Sequence, residues 1–390
     1  HYLGEGLTTN GTNQGNVELS ESDYNDLINA NMDNKIVKEI LTPYKKAINQ
    51  GVQSIMVSYN SINGKKCHGN KDVLTTLLKE KLGFEGIIIS DYNGLDQIEN
   101  QSSYKDKAIA CINAGVDMLM VAEQDGDTPR WKNLYNALVE AVNEDKISEE
   151  RLNDAVARIL TAKENIGLLD DASKAYANKD AQALFGGQEH RTLARQAVSE
   201  SLVLLKNDTV KDGQTMMQAL ENMDNLMVAG SAGDDIGKQC GGWTITWQGS
   251  TGNTTKGTTI FSGLKAAMDK KGGTINYSAN GVYTDSTSKV DAAIVVVGED
   301  PYAESNGDRS ASQLKLPASD ISTIKQIENS HPDTPIILVL TTGRPIAIAD
   351  YVNDSHIKGI VNAWLPGSEG DGVADVLLGN KDFVGTNPIT

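Results

Sequence analysis

Residues Gly86–Tyr92 read GIIISDY, a short apolar run of β-forming residues that ends in a serine and a carboxylate. Two other segments share this pattern, Val52–Tyr59 (VQSIMVSY) and Gly115–Val121 (GVDMLMV). Continuous apolar runs are typical of strands covered on both faces, as in parallel sheets. Helical patterns separate these segments at intervals of roughly 30 residues, the size of a βαβ unit. Residues 1–166 are therefore predicted to have a parallel α/β architecture.

Capping residues bound the predicted helices. A long helical pattern is expected to break near Asn34, where a capping side chain can start a new helix. Other predicted helices are one that Asn70 caps and that reaches Leu82, one from Asp127 to about Asn143, and one that Ser148 caps and that reaches about Ile166.

The number of strands limits the architecture of this first part. A complete (β/α)₈ barrel needs about 250 residues, and only three complete strands are recognisable in residues 1–166. The segment His1–Gly6 would follow a fourth strand that precedes the chain. The chain begins without methionine, so it is expected to be an internal fragment or a processed product. The prediction is the C-terminal part of a barrel, with a smaller doubly wound sheet as the alternative.

The second part of the chain has its own α/β pattern. Residues 167–188 lack periodicity and contain paired aspartates and glycines, so they are predicted to be a linker. Residues 189–390 alternate strand and helix patterns again. The strand candidates are Leu202–Lys206, Leu226–Gly230, Thr274–Tyr277, Ala292–Gly298, Pro335–Thr342 and Ile357–Ala363. This part is predicted to be an α/β sandwich domain.

Composition and charge exclude several classes of protein. The 390 residues carry 35 basic and 52 acidic side chains, a formal net charge of −17, which disfavours a nucleic-acid partner. No apolar run approaches the roughly 18 residues of a membrane span. The three cysteines, Cys67, Cys111 and Cys240, form no CxxC pair, which argues against a disulfide scaffold and a structural zinc site. Sugars and other neutral substrates stay open.

Carboxylates follow two of the predicted strands. Asp91 directly follows GIIIS, where it would serve as a nucleophile or metal ligand, or else cap the next helix. Tyr59 is a candidate hydrogen-bond donor that would hold this carboxylate ionised. Glu299 and Glu304 lie in the loop Gly298–Asp308 (GEDPYAESNGD), which is either a catalytic loop or a solvated acidic one. Two such carboxyl groups would suit glycoside hydrolysis, one attacking the sugar and one protonating the leaving oxygen.

Two tryptophans lie close together in a glycine-rich stretch. Gly241–Gly249 reads GGWTITWQG and places Trp243 and Trp247 four residues apart. An exposed aromatic face suits the C–H face of a sugar ring, whereas buried tryptophans would pin the loop to a core. The residues alone leave both interpretations open.

Several long motifs, in order, resemble glycoside hydrolase family 3, most closely its exo-1,3/1,4-β-glucanase branch. The motifs that carry the resemblance are HYLGEGLTTNGTNQGN (1–16), SIMVSYNSING (54–64), GFEGIIISDYNGLDQI (83–98), CGGWTITWQG (240–249), VGEDPYAESNGD (297–308) and AWLPGSEGDG (363–372). The resemblance implies a (β/α)₈ barrel followed by an α/β sandwich, with an active site formed by both.

The resemblance also implies roles for individual residues. Asp91 matches the catalytic nucleophile and Glu299 the acid/base, with Glu304 as the competing choice. The implied substrate-binding residues are His1, Tyr59 beside the nucleophile, and Trp243 and Tyr92 as the walls of an aromatic clamp. Tyr92 stands where relatives usually have tryptophan, and Gln14 stands where they often have glutamate.

The implied function is that of a retaining, exo-acting β-glucosidase or exo-β-glucanase. The alternatives are a β-xylosidase, a β-N-acetylglucosaminidase, and a carbohydrate-binding or inactive fragment. The predicted partner is a β-glucoside or β-gluco-oligosaccharide. No metal or organic cofactor is required by this chemistry. The family resemblance implies a secreted or periplasmic location, and the oligomeric state stays open.

Overall fold

The structure is a computed structural model that describes residues 1–122, 124–125, 128–283 and 289–388. Its contacts divide the chain into two compact units, His1–Asn178 and Lys179–Thr390. The division falls within residues 167–188, the predicted linker. That stretch is not irregular throughout, because it contains a 3₁₀ turn at Ala172–Ala175 and a helix at Lys179–Leu184.

The first unit alternates short strands with helices. Its strands are β1 (Asn16–Val17), β2 (Ser54–Met56), β3 (Ser61–Ile62), β4 (Lys65–Lys66), β5 (Ile87–Ile89), β6 (Gln124–Asp125) and β7 (Thr128–Pro129). Its helices are α1 (Glu21–Ile28), α2 (Lys35–Asn49), a π-helix (Asp72–Lys81), α3 (Tyr104–Ala114), α4 (Arg130–Asn143) and α5 (Glu149–Asn165). Further 3₁₀ turns lie at Glu5–Leu7, Thr9–Gly11, Cys67–Gly69 and Gly94–Gln97.

Parallel pairing connects successive segments of this unit. Strand β2 pairs with β5, and both run in the same direction. Parallel bridges extend the pairing on either side, from Tyr2 to Val57 and from Ile89 to Met118. Four segments therefore lie side by side in their order along the chain, which is the neighbour relation of a (β/α)₈ barrel. The parallel α/β architecture predicted for residues 1–166 is confirmed.

Two local predictions for this unit are confirmed by cap contacts. The long helical pattern breaks at Asn34, whose side chain accepts the N–H groups of Ile36 and Val37 at the start of α2. Ser148 caps α5 by accepting the N–H of Arg151.

Two other local predictions are wrong. The segment Gly115–Val121 forms a single bridge instead of a strand, because the N–H groups of Asp117 and Met118 both donate to the Ile88 carbonyl and the ladder does not continue. Asn70 does not cap its helix, since Lys71 already has helical torsions and no side chain caps this N-terminus. The predicted helix start at Asp127 lies outside the described residues.

The second unit begins with α6 (Lys179–Leu184) and centres on one mainly parallel sheet. The remaining elements are α7 (Gln188–Ser201), β8 (Val203–Asn207), α8 (Met216–Leu220), β9 (Asn225–Ala229), α9 (Ile236–Cys240), α10 (Ile260–Lys271), β10 (Thr274–Ser278), β11 (Ala292–Gly298), α11 (Ala318–Ser330), β12 (Ile336–Thr341), α12 (Ala349–Val352), β13 (Ile357–Trp364) and α13 (Gly370–Leu377). Short 3₁₀ turns lie at Glu304–Gly307 and Ala311–Gln313.

The sheet has the strand order β10-β9-β11-β12-β13-β8, and β8 is its antiparallel edge. Alternate residues of β11 enter two different apolar clusters: Ile294 and Val296 enter one, and Ala293 and Val295 enter the other. Helices therefore cover both faces, as the predicted sandwich requires. Every residue of β11 is buried, and the loop that follows its C-terminal end carries Glu299 and Glu304. Across the described residues, no helix combines the length and apolar content that crossing a membrane requires.

Candidate active site

Asp91 lies at the C-terminal end of β5 and is nearly buried, with 8% of its surface exposed. Its Oδ1 accepts the N–H of Tyr92 at 2.7 Å, and its Oδ2 lies 2.8 Å from Nε2 of His1. Burial by itself would raise the pKa of Asp91, but the hydrogen bonds from His1 and Tyr92 outweigh it and lower that pKa. The alternative that Asp91 caps the next helix is wrong, because Asn93 precedes that turn and no side chain caps it.

His1 lies between two carboxylates. Its Nε2 faces Asp91, and its Nδ1 lies 2.6 Å from Oε2 of Glu5. The hydrogen bonds to Asp91 and then Glu5 raise the pKa of His1 to about 10, against the opposing effect of burial. At neutral pH the ring is therefore an imidazolium that balances the charge of Asp91.

The two tyrosines of this region are linked to each other. The Tyr59 hydroxyl donates to the backbone carbonyl of Tyr92. A phenol has one proton, so the predicted donation from Tyr59 to the Asp91 carboxylate is not the bond observed, and His1 supplies the stabilising contact instead. The Tyr92 side chain is exposed.

His68 contacts Asp91 through the backbone, a contact that sequence reasoning missed. Its Nε2 accepts the Asp91 N–H at 3.0 Å, and the ring is fully buried. Burial lowers the pKa of His68 to about 4, so the ring stays neutral and can act as an acceptor. Gly94 packs on this ring so closely that a Cβ there would lie 2.2 Å from Nε2. No spacing in the sequence indicates a contact between residues 23 positions apart.

In the second unit, Glu299 is held by two side chains that follow β12. Its Oε2 accepts from Nε of Arg344 at 3.0 Å and from the Thr342 hydroxyl at 3.1 Å. The Arg344 guanidinium also lies over the Tyr302 ring, 4.0 Å from its centroid. Sequence analysis missed both Thr342 and Arg344, although they lie at a strand end, where functional residues are expected.

Glu304 differs from Glu299 in its surroundings. Its side chain is exposed, and its Oε1 accepts from Nε1 of Trp247 at 3.2 Å. Its φ is 52°, in the left-handed region that costs a non-glycine residue about 1 kcal/mol or more and that is common at functional sites.

Trp243 and Trp247 form an exposed aromatic surface. Trp243 is 69% exposed and Trp247 53%, and their ring centroids lie 6.5 Å apart. The N–H of Trp243 donates to the carbonyl of Trp247 and closes the loop that presents both rings. The alternative that they are core tryptophans is wrong.

A cleft of about 200 Å³ lies beside these residues in the second unit. Residues that line it include Lys238, Trp243, Glu299, Tyr302, Thr342 and Leu365. Lys238 is held by Asp300, whose Oδ1 lies 2.9 Å from Nζ, and by the Ser231 hydroxyl at the same distance. The cleft has an aromatic wall and a charged floor, a combination that suits a polar ligand with apolar faces.

Among the described residues, one group could offer three ligand atoms to a metal ion. Glu328, Asp354 and His356 bring such atoms within 4.8 Å of one another. Asp354 and His356 precede β13, and Glu328 lies near the end of α11. The group therefore lies near the N-terminal ends of the parallel strands. The Gly298–Asp308 loop leaves from the opposite ends of the strands, so this group is separate from the loop that carries Glu299 and Glu304.

Comparisons with known proteins agree with this description. The model of the glycosyl hydrolase family 3 N terminal domain matches residues 13–162, and that of the family 3 C-terminal domain matches residues 202–390. A lysosomal beta glucosidase of Dictyostelium discoideum is 29% identical over 87% of this chain and 42% of its own length. A beta-xylosidase of Formosa agariphila is 28% identical over 97% of this chain and 51% of its own length.

The fold is also found among solved structures. A mutant of the exo-1,3/1,4-beta-glucanase of a Pseudoalteromonas species is 37% identical, with a TM-score of 0.82 over 99% of this chain and 58% of the other. This similarity and the family matches confirm the predicted resemblance and the predicted fold class. The chain spans about half the length of the curated relatives named here.

Proposed function

Because the chain belongs to glycosyl hydrolase family 3, we propose that it supplies the nucleophile and the acid/base of a retaining, exo-acting β-glucosidase or exo-β-glucanase. The observation that carries the proposal is the contact between His1 and Asp91. A nucleophilic carboxylate must stay ionised while it is desolvated, and an imidazolium 2.8 Å away favours its charged form.

In the proposed reaction, Asp91 attacks the anomeric carbon of the terminal glucosyl residue and forms a covalent glycosyl-enzyme. A glutamic acid of the Gly298–Asp308 loop protonates the departing oxygen and then takes a proton from the incoming water. His1 and the Tyr92 N–H hold the carboxylate. Both ring nitrogens of His1 face carboxylates, which supports a charge-balancing role for His1 more than its predicted contact with a sugar hydroxyl.

The proposal assigns the acid/base to Glu304, the competing choice of the sequence analysis, instead of Glu299. Glu299 accepts a hydrogen bond from the Arg344 guanidinium, so its Oε2 is already engaged in a charge-assisted contact within the protein. Glu304 accepts its hydrogen bond from a neutral indole, is exposed, and adopts a strained backbone conformation beside the tryptophans. A group that must alternate between donating and accepting a proton fits the second environment better.

The proposed ligand is a β-glucoside or β-gluco-oligosaccharide, with Trp243, Trp247 and Tyr92 as aromatic surfaces for its rings. A β-xyloside is the second candidate, favoured by the similarity to a beta-xylosidase over 97% of the chain. The secreted or periplasmic location stays a prediction.

A trapping experiment in the full-length protein tests the proposal. A 2-deoxy-2-fluoro-β-glucoside with a good leaving group should inactivate the enzyme and add one fluoroglucosyl group to the peptide that contains Asp91. Asp91→Asn should abolish both labelling and turnover, whereas the exposed Glu80→Gln is the control that should keep both. Label on another carboxylate, or α-glucose as the first product, would contradict the mechanism.

A comparison of aryl glycosides with the same full-length protein tests the substrate class. Aryl β-glucoside, β-xyloside and β-N-acetylglucosaminide should be hydrolysed in decreasing order of kcat/KM. Binding of glucosides without any turnover would instead support the alternative of a carbohydrate-binding protein.

A further inference from the structure

We propose that Arg344 is a positioning residue that ties down both ends of the Gly298–Asp308 loop and so sets the position of the Glu304 carboxyl group. The inference deepens the proposed function and rests on it, because it concerns the residue assigned there as acid/base. It also accounts for the presence of two glutamates in one loop, since Glu299 is the anchor and Glu304 the acid.

The guanidinium of Arg344 reaches two points that are eight residues apart in sequence. Its Nε donates to Glu299 at the start of the loop, at 3.0 Å, and its Nη1 donates to the backbone carbonyl of Gly307 at the end. An arginine presents several N–H donors in one rigid plane, so a single side chain holds both points at a constant separation. A lysine side chain has a single nitrogen, so it cannot hold both points in this planar geometry.

The middle of the loop packs on the same guanidinium. The Tyr302 ring lies beneath it at 4.0 Å, the geometry of a cation–π contact. Gly307 packs against the Tyr302 ring, since a Cβ there would come within 2.6 Å of Cδ2 of Tyr302. The loop is therefore wrapped around Arg344 at its start, middle and end.

The anchor itself is attached to the sheet. The Thr342 hydroxyl lies 3.1 Å from Oε2 of Glu299 and 2.9 Å from the Arg344 carbonyl, either of which can accept its one proton. Its oxygen also accepts the N–H of Arg344 at 3.3 Å. Thr342 and Arg344 directly follow β12, which pairs with β11, the strand from which the loop departs. These contacts of Glu299 therefore fix the position of the loop relative to the sheet.

Glu304 depends on this arrangement because its own contact is slight. Its side chain accepts one hydrogen bond, at 3.2 Å, from the exposed Trp247, while its backbone lies in the 3₁₀ turn that ends at Gly307. A general acid must lie within hydrogen-bond distance of the leaving oxygen, so freeing the end of this turn should displace it.

The test exploits the need for protonation. Phenolate is a poor leaving group and needs the acid, whereas 2,4-dinitrophenolate leaves without it. In the full-length enzyme, Arg344→Ala should lower kcat/KM for phenyl β-glucoside about 100-fold and for the dinitrophenyl substrate less than about threefold. With the dinitrophenyl substrate, kcat should fall even though kcat/KM does not, because hydrolysis of the glycosyl-enzyme still needs the general base. Azide needs no general base and should restore that kcat. The control is Arg195→Ala, which removes another arginine–carboxylate pair of the second unit and should leave both substrates unaffected.

Conservative variants keep the test decisive if Arg344→Ala does not fold. Arg344→Lys and Glu299→Gln preserve side-chain size and should each give about a tenfold loss with phenyl β-glucoside, again without a comparable loss for the activated substrate. An equal loss for both substrates, an equal rise in KM for both, or no loss would overturn the inference. An equal rise in KM would identify Arg344 as a substrate-binding residue.

Failure of the inference and failure of the proposed function are distinguishable through Glu304→Ala. If that variant shows the leaving-group dependence and the Arg344 and Glu299 variants do not, the positioning role alone is wrong. If Glu304→Ala hydrolyses phenyl β-glucoside normally, the assignment of the acid is wrong, and the inference falls with it.

Discussion

Nε2 of His1 and Oδ2 of Asp91 lie 2.8 Å apart, although 90 positions separate the two residues in the chain. The parallel bridge between Tyr2 and Val57, next to the β2–β5 pair, brings the first residue to the strand end that carries Asp91. The contact makes the ionisation of Asp91, the proposed nucleophile, depend on a neighbouring cation.

His1→Gln should shift the acid limb of the pH profile of kcat/KM to higher pH. Burial raises the pKa of Asp91, and the hydrogen bond and positive charge of His1 oppose it. Glutamine can offer an N–H donor but no charge, so the effect of burial should weigh more in the variant. The measurement is kcat/KM for an aryl β-glucoside from about pH 3 to about pH 8, a range that spans the ordinary pKa values of both groups. His190→Gln, at an exposed histidine of the second unit, is the control and should leave the profile in place. An unmoved acid limb in His1→Gln would contradict the proposed role of this pair.

The same pair predicts how stability depends on pH. The pKa of His1 is raised from 6.5 to about 10 in the folded protein, so its contribution to the free energy of unfolding is complete below pH 6.5 and is lost as pH rises through about 10. Asp91, whose pKa is lowered, contributes above its ordinary value of 3.8 and loses that contribution as pH falls below it. Urea unfolding of the wild type and of His1→Gln should therefore differ most between about pH 4 and 6.5 and converge towards about pH 10.5.

Gly94→Ala should destabilise the protein and impair catalysis together. The new Cβ would lie 2.2 Å from Nε2 of His68, the atom that accepts the Asp91 N–H, so the ring or the loop must move. We expect a loss of about 2–4 kcal/mol in the free energy of unfolding, as for overpacking combined with a broken buried hydrogen bond. Gly6→Ala is the matched control, because no atom lies within 4 Å of its added Cβ. Equal stabilities of the two variants would argue against a fixed position for His68.

Trp247→Phe and Trp243→Phe should separate the two functions of the aromatic surface. Both keep an apolar ring, but only Trp247→Phe removes the N–H that donates to Glu304. We expect Trp247→Phe to lower kcat on phenyl β-glucoside about tenfold, in line with the loss of one oriented hydrogen bond to the proposed acid/base. Trp243→Phe should change mainly KM. Indistinguishable kinetics of the two variants would mean that the Trp247–Glu304 bond has no part in catalysis.

The bounds of the strand Ala292–Gly298 were predicted closely because the signal for this strand is local. Ala292–Gly298 is a continuous apolar run, and the structure buries all seven residues between two helical layers. The segment Gly115–Val121 has a similar composition and still forms only one bridge. Backbone pairing there ends because two consecutive N–H groups donate to the same Ile88 carbonyl. The composition of the segment does not predict this contact with a distant residue.

The sequence by itself determined the α/β class, the family resemblance, and the two acidic segments at strand ends, because apolar periodicity and motif order are properties of neighbouring residues. Only the tertiary structure decided which groups surround those acids: His1 beside Asp91, His68 beneath its backbone, and Arg344 bound to Glu299 while Glu304 stays exposed. Those contacts join residues 23 to 90 positions apart. The charge state of a carboxyl group depends on its distance from other charges and from water, and chain folding sets both distances.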